Sequence, residues 1–166
     1  LIDADMRKPN QRRLWRINPT TGLCDFLAKI QDLSIYDVEG IPLSIVCTGT
    51  IPPNPSELLS SEGMKNFVEE CSKLYEYIII DTPPINTVAD AQIVSTFVDG
   101  VVLIAKSGNT STDELNDAIA AVKRAGGNLC GVVLNDMNIK SIKRSYRYKY
   151  NYKYKKYSYN DSYESK

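Results

Sequence analysis

Residues 75–90 read YEYIIIDTPPINTVAD. Tyr77, Ile78, Ile79 and Ile80 form a short apolar run rich in β-branched side chains and without polar alternation, the pattern of a strand buried on both faces of a parallel sheet. The run stops at Asp81, and Pro83-Pro84 forbids its continuation as strand or helix. A carboxylate is thereby expected at the carboxyl end of a central strand, where open α/β sheets bind their ligands. Such an acid suits the holding of Mg²⁺ beside phosphates. Asp-Thr-Pro-Pro is equally good turn chemistry, so on this stretch alone Asp81 reads either as a ligand or as a cap.

A second acidic strand end lies at the start of the chain. Leu1-Ile2-Asp3-Ala4-Asp5 reads as the last residues of a strand, and Pro9 closes the element after Met6-Arg7-Lys8. Residues two apart in an extended chain share a face, with Cα atoms roughly 6.6 Å apart. Asp3 and Asp5 therefore form a same-side carboxylate pair, costly unless a cation or a proton sits between them. Surface acids at a strand end are the plainer reading. The chain opens inside an apolar run without a Met, and reads as cut.

Other elements alternate between strand and helix. Gln11–Trp15 reads as a helical turn, and Gly22–Lys29 as a short helix burying Leu23, Phe26 and Leu27. Pro42–Thr48 reads as a strand ending at Gly49, followed by the stiff loop IPPNP. Ser56 is the expected N-cap of a helix over 57–60. A longer helix over 61–74 carries Met64, Phe67, Val68, Cys71 and Leu74 on one stripe, a core face. Ala89–Phe97 reads as a helix and Gly100–Ala105 as a second fully buried strand. Thr112 or Asp113 caps a helix to Ala125, with Leu115, Ile119 and Val122 inward, ended by Gly126-Gly127. Cys130–Leu134 is the next strand, stopping at Asn135-Asp136. The expected class is α/β, a parallel sheet flanked by helices.

Composition narrows the chemistry. The 166 residues suit one domain with a tail, covering 1–138 and 139–166. The sequence has no His, and its four cysteines (Cys24, Cys47, Cys71, Cys130) are widely spaced without a C-x-x-C. That excludes ordinary zinc sites and His-dependent nucleophile systems and leaves buried, reduced thiols. No apolar run approaches the ~18 residues of a membrane span, and no signal peptide is present. Net charge is zero but uneven: residues 139–166 hold nine Lys/Arg against two acids, so the tail carries +7 and the body −7. Tyr146, Tyr148, Tyr150, Tyr152, Tyr154, Tyr157, Tyr159 and Tyr163 stand there among Lys, Arg, Asn and Ser, with only Ile139 and Ile142 aliphatic. Such a segment cannot bury enough to fold on itself and is read as mobile. Its period-2 spacing would also line tyrosines along one face of a strand, a register that Tyr154–Tyr157 breaks.

Three features in order carry a resemblance. LIDADMRKP resembles the Walker A′ strand of deviant Walker ATPases, YEYIIIDTPP resembles their Walker B strand, and the Tyr-rich end resembles the tyrosine cluster of bacterial tyrosine kinases (BY-kinases) of capsular and exopolysaccharide biosynthesis. The loop GTIPPNPSELL also looks like the segment these kinases carry between the two acidic strands. The resemblance implies a deviant Walker P-loop NTPase-like fold, truncated at the N-terminus, and a protein-tyrosine kinase that uses ATP and Mg²⁺. Asp81 would hold Mg²⁺ through water and Asp5 would help position it. Asp3 would orient or deprotonate the attacking tyrosine hydroxyl; the roles of Asp3 and Asp5 are exchangeable. Asn135 matches the place where related ATPases contact adenine, although an Asn there also makes a plain turn. The eight tail tyrosines would be acceptors, phosphorylated in trans. Implied partners are neighbouring subunits of a ring-type homo-oligomer, a membrane activator or polysaccharide co-polymerase, and a cognate tyrosine phosphatase. No nucleic acid is expected, and the place is cytoplasmic, at the inner face of the membrane.

The sequence departs from that pattern in one respect: no G-x-x-x-x-G-K-[ST] occurs in it. The P-loop, its strand, the oligomerisation helix and the activating segment are expected upstream. The chain by itself is then an incomplete and weakly active kinase with a gap or edge in its sheet. Two other readings remain. A MinD/ParA-like ATPase shares both acidic strands, but its membrane-targeting tail would be an amphipathic helix with bulky apolar residues. A binding module would grip nucleic acid or an anionic surface through the Lys/Tyr tail.

Overall fold

The computed structural model describes residues 1–137. The tail tyrosines, Tyr146 to Tyr163, lie outside the described residues. The described residues divide into two compact units: Leu1–Leu103 with Thr112–Gly131, and Ile104–Ser111 with residues 132–137. Among the described residues no helix is long and apolar enough to cross a membrane.

The first unit is built around β1 (Ile2–Asp3), which runs between two parallel neighbours. On one side it pairs with β4 (Ile80–Asp81), in the register Ile2 opposite Ile80 and Asp3 opposite Asp81. On the other it bridges Val46, just beyond β3 (Ser44–Ile45), which itself forms an antiparallel hairpin with β2 (Tyr36–Asp37). Successive β1 amides alternate between the neighbours: Ile2 N–H donates to Ile79 O (2.8 Å), Asp3 N–H to Val46 O (2.9 Å) and Ala4 N–H to Asp81 O (2.8 Å). Both acidic strand ends are thus held side by side at one end of a small parallel sheet.

Helices cover this sheet by burying their apolar stripes. α3 (Pro55–Ser60) starts with proline at its first turn, where a missing N–H costs nothing. α4 (Glu62–Ser72) is capped by Ser61, whose hydroxyl accepts the Met64 N–H at 3.2 Å. Leu23, Leu59 and Met64 are fully buried together with Ala4 and Met6. α1 (Gln11–Leu14), α2 (Leu23–Leu27) and α5 (Asp90–Val94) are short. α6 (Thr112–Arg124) has Asp113 and Glu114 in its first turn and Lys123 and Arg124 in its last, matching the helix dipole at both ends. It packs Ala118 and Val122 against Leu103 in a second, smaller core.

β5 (Val101–Lys106) and β6 (Leu129–Asn135) pair with each other. Val101 N–H donates to Asn128 O (2.8 Å) and Ser107 N–H to Asn135 O (2.9 Å), so the bonding advances together along both, as in a parallel pair. In the second unit an exposed Lys106–Asp136 ion pair (3.4 Å) joins the ends of these strands.

Several local expectations need correction. The 77–80 run is not buried on both faces: Tyr77 is 79% and Ile79 63% exposed, and the strand is two residues long. Val101–Lys106 likewise alternates, with Val102 and Ile104 exposed. Ile78 and Ile80 pack into the first core and Val101 and Leu103 against α6, which leaves the alternate residues of each run exposed. Ser56 is not the N-cap of α3; Asn54 holds that place because Pro55 enters the first turn, and the Ser56 hydroxyl is used elsewhere. Leu74 is 78% exposed because α4 ends at Ser72, two residues short of it. Phe26 is half-exposed, tilted against Phe67 with ring centroids 5.6 Å apart.

Candidate functional site

The register that sets Asp3 opposite Asp81 places two carboxyl-bearing residues on adjacent parallel strands, whose backbones lie about 4.8 Å apart. Asp3 is wholly buried. Its Oδ2 accepts the backbone N–H groups of Asn10 (3.1 Å) and Gln11 (2.9 Å) at the start of α1. Its Oδ1 is buried without a hydrogen-bond partner among the described residues. Burial pushes the Asp3 carboxyl above the ordinary carboxylate range; the Gln11 N–H opposes this, and the Asp81 charge adds to it.

Asp5 lies two residues beyond β1 and is half-buried. Its Oδ1 accepts the backbone N–H groups of Arg7 (3.2 Å) and Lys8 (2.9 Å), which folds the segment back after the strand. Asp81 accepts a 2.7 Å hydrogen bond at Oδ2 from the side-chain amide of Gln11. The oxygen of that amide accepts the indole N–H of Trp15 at 3.0 Å.

A second ring of contacts supports these acids. The buried Thr48 hydroxyl donates to Asp3 O (2.9 Å), tying the end of the neighbouring strand to the acid's own backbone. Thr48 is followed by Gly49, which crosses Gly22 so closely that a Cβ on either glycine would strike the other's backbone. Asp25 closes this crossing by accepting the N–H groups of Gly22 (2.9 Å) and Thr50 (3.2 Å). Burial alone would raise its carboxyl, but the Thr50 and Gly22 donors outweigh it and hold the group below the usual range. Farther along, Arg7 reaches buried Asp90 through Nε (2.8 Å) and Nη2 (3.1 Å), and the Ser56 hydroxyl donates to the same carboxylate at 2.6 Å. Burial pushes the Asp90 carboxyl up, yet Arg7 and Ser56 bring it below the ordinary range.

The structure therefore brings Asp3 and Asp81 together, with Asp5 two residues beyond the same strand end. Asn135 belongs to the second unit, where its Oδ1 accepts the Asp136 N–H (2.8 Å) in a local turn. Gln11, Thr48, Arg7 and Asp90 were not singled out from the sequence. The one available signal was the position of Gln11 two residues after the Pro9 that closes the DADMRKP segment, where a helix start supplies free N–H groups.

Among the described residues no cluster of three Cys, Asp or Glu side chains could cage an ion by itself. Mg²⁺ does not require one, since it is usually bound by one or two carboxylates with water and substrate phosphates. A buried carboxylate oxygen without a partner among the described residues, beside a second carboxylate, fits such an ion.

No protein-family model matches the chain. It is 39% identical over 137 residues to the tyrosine-protein kinase YwqD of Bacillus subtilis, covering 81% of the chain and 58% of that protein. It is 34% identical over 149 residues to the tyrosine-protein kinase Etk of Escherichia coli, covering 89% of the chain and 20% of that protein. The solved kinase domain of VpsO superposes with a TM-score of 0.78 at 31% identity, over 82% of the chain and 69% of that structure. The chain spans between a fifth and two thirds of the length of the curated relatives it matches.

Proposed function

Because the chain belongs to the bacterial tyrosine kinases, we propose that it is the C-terminal part of an enzyme that transfers the γ-phosphoryl group of ATP to tyrosines of its own tail, in a neighbouring subunit, and so regulates capsular or exopolysaccharide synthesis. The observation that carries this reading is the side-by-side placement of Asp3 and Asp81 with a buried Asp3 oxygen left without a partner among the described residues. Asp81 and Asp5 would hold Mg²⁺, Asp81 through water. When bound, that ion neutralises charge developing on the phosphates.

The remaining work falls to the chain's own residues. A tyrosine hydroxyl has a pKa near 10, so it needs an adjacent carboxylate to align it and take its proton. The raised proton affinity of Asp3 supports it as that acceptor, with Asp5 the alternative. The tail's basic residues would steer Tyr146 to Tyr163 toward an acidic body. Each phosphate adds about −1.5 to −2 charges, so about four or five would reverse the tail's sign and release it from acidic surfaces. Adenine contact by Asn135 belongs to the same proposal. So do the ring of subunits, the membrane activator at the inner face and the cognate phosphatase.

No phosphate-binding glycine loop occurs in these 166 residues, so by themselves they would bind ATP weakly. The test mixes this chain with an intact homologous kinase, ATP and Mg²⁺ and maps phosphotyrosine by mass spectrometry. Label on Tyr146 to Tyr163 is expected, and its absence removes the acceptor role. A phosphomimetic tail that leaves subunit assembly unchanged would remove the charge switch.

A further inference from the structure

Gln11 touches both acids at once. Its backbone N–H donates to Asp3 Oδ2 at 2.9 Å, and its side-chain amide donates to Asp81 Oδ2 at 2.7 Å. The residue is almost fully buried at the first position of α1; its backbone bond to Asp3 is buried and its side-chain bond to Asp81 is partly so. A glutamine amide has a donor end and an acceptor end of nearly equal size, and either could face a neighbour. Trp15 removes that freedom. An indole N–H only donates, and it lies 3.0 Å from Gln11 Oε1, so the NH₂ end must face Asp81. Trp15 stands one helical turn after Gln11, as an i, i+4 pair must to meet.

We propose that Gln11 is a positioning residue that fixes the Asp3 and Asp81 carboxylates relative to each other, and that Trp15 fixes the orientation of its amide. Each acid gives one oxygen to Gln11 and keeps the other for a cation or an incoming hydroxyl. The Asp3 oxygen so spared is the buried one without a partner among the described residues. Neither side chain would touch the substrate or the reacting atoms. This inference rests on the kinase reading for its purpose, but the coupling itself is a property of the folded chain.

Trp15 is the single tryptophan of the sequence, so its fluorescence reports on this chain of bonds without added label. The first measurement is acrylamide quenching of Trp15 in the whole chain, with no metal or nucleotide present. Asp81→Ala is expected to raise the quenching constant, because the Gln11 amide loses its acceptor and loosens its hold on the indole. In a Gln11→Met background the same Asp81→Ala change is expected to add nothing. An equal response in both backgrounds, or none in either, overturns the coupling.

The second measurement follows loss of the free Mn²⁺ electron paramagnetic resonance signal, with Mn²⁺ standing in for Mg²⁺. Gln11→Met is expected to weaken binding about 10-fold or more, as loss of a residue supporting a metal-binding carboxylate typically does. Trp15→Phe should weaken it less, and Asp81→Ala should abolish it. Unchanged Mn²⁺ affinity in Gln11→Met, with Asp81→Ala inactive in binding, overturns the positioning role and leaves the kinase reading intact. If the unaltered chain binds no Mn²⁺, the carboxylates do not hold the ion without phosphates, and the quenching result decides whether Gln11 links Trp15 to Asp81.

Discussion

Asp3 carries a conflict that its neighbours only partly relieve. It is wholly buried beside Asp81, and two backbone N–H groups compensate one oxygen while the other has no partner among the described residues. Burial and the Asp81 charge raise its proton affinity over the opposition of Gln11. A carboxyl that binds its proton more tightly in the folded state contributes stability that is full below its unfolded pKa, about 3.9, and is lost as pH rises through its folded value. The unfolding free energy of the unaltered chain should therefore rise relative to that of Asp3→Asn as pH is lowered from neutral toward about 4, each tenfold change in proton affinity being worth about 1.4 kcal/mol. Urea unfolding of both proteins across that range measures it; a constant difference would show that Asp3 titrates as an ordinary carboxyl. The acids themselves were legible because each ends an apolar run. Gln11 was not, because a single polar residue in a polar segment has no periodic signature and acquires its role only when two strand ends converge on it.

At the scale of elements, the crossing of Gly22 and Gly49 holds the start of α2 against the segment that follows β3. Gly49 has φ +80°, and a Cβ there would strike Asp25 Oδ2 and the Gly22 backbone. Gly40 has nearly the same φ, +82°, with nothing within 4 Å of a built Cβ. Gly40→Ala should then cost only the left-handed backbone penalty, about 1–2 kcal/mol. Gly49→Ala should cost that plus disruption of the Asp25 hydrogen bonds to Gly22 and Thr50, about 1 kcal/mol more, and further steric loss. Comparing their urea midpoints against the unaltered chain tests the difference, and equal midpoints would remove the crossing as a constraint. Strand and helix order was legible from hydrophobic period and turn residues. Exposure was not: a run such as YIII reads as doubly buried whenever its sequence is considered without knowing which neighbours cover it. The β2–β3 hairpin also escaped notice, because two-residue strands leave no alternation to count.

Across the whole chain, all four cysteines are free, and burial separates them. Burial pushes the Cys24 thiol up to about 12, and the charges of Asp25 and Asp3 add to it; burial also raises Cys47 and Cys71. Cys130 is exposed. Because the thiolate is the reactive form, a disulfide reagent at about pH 8 should modify one thiol rapidly in the folded protein and all four after unfolding in guanidinium. Two or more fast thiols in the native protein would contradict the burial of the sheet end. The sequence supported the expectation of reduced, buried thiols for three of these positions. It missed Cys130, which is exposed because β6 alternates in burial at its start.

The alternation of bonds along β1 has a consequence for how the acidic end comes apart. Its three consecutive amides are handed to Ile79, Val46 and Asp81 in turn, so neither neighbour can peel away without disturbing the same short segment. In deuterium exchange the amides of Ile2, Asp3 and Ala4 should consequently swap their protons at one common rate, through a single opening, rather than fraying one after another from the chain end. The carboxylates would then be either all in place or all released, leaving no half-assembled arrangement.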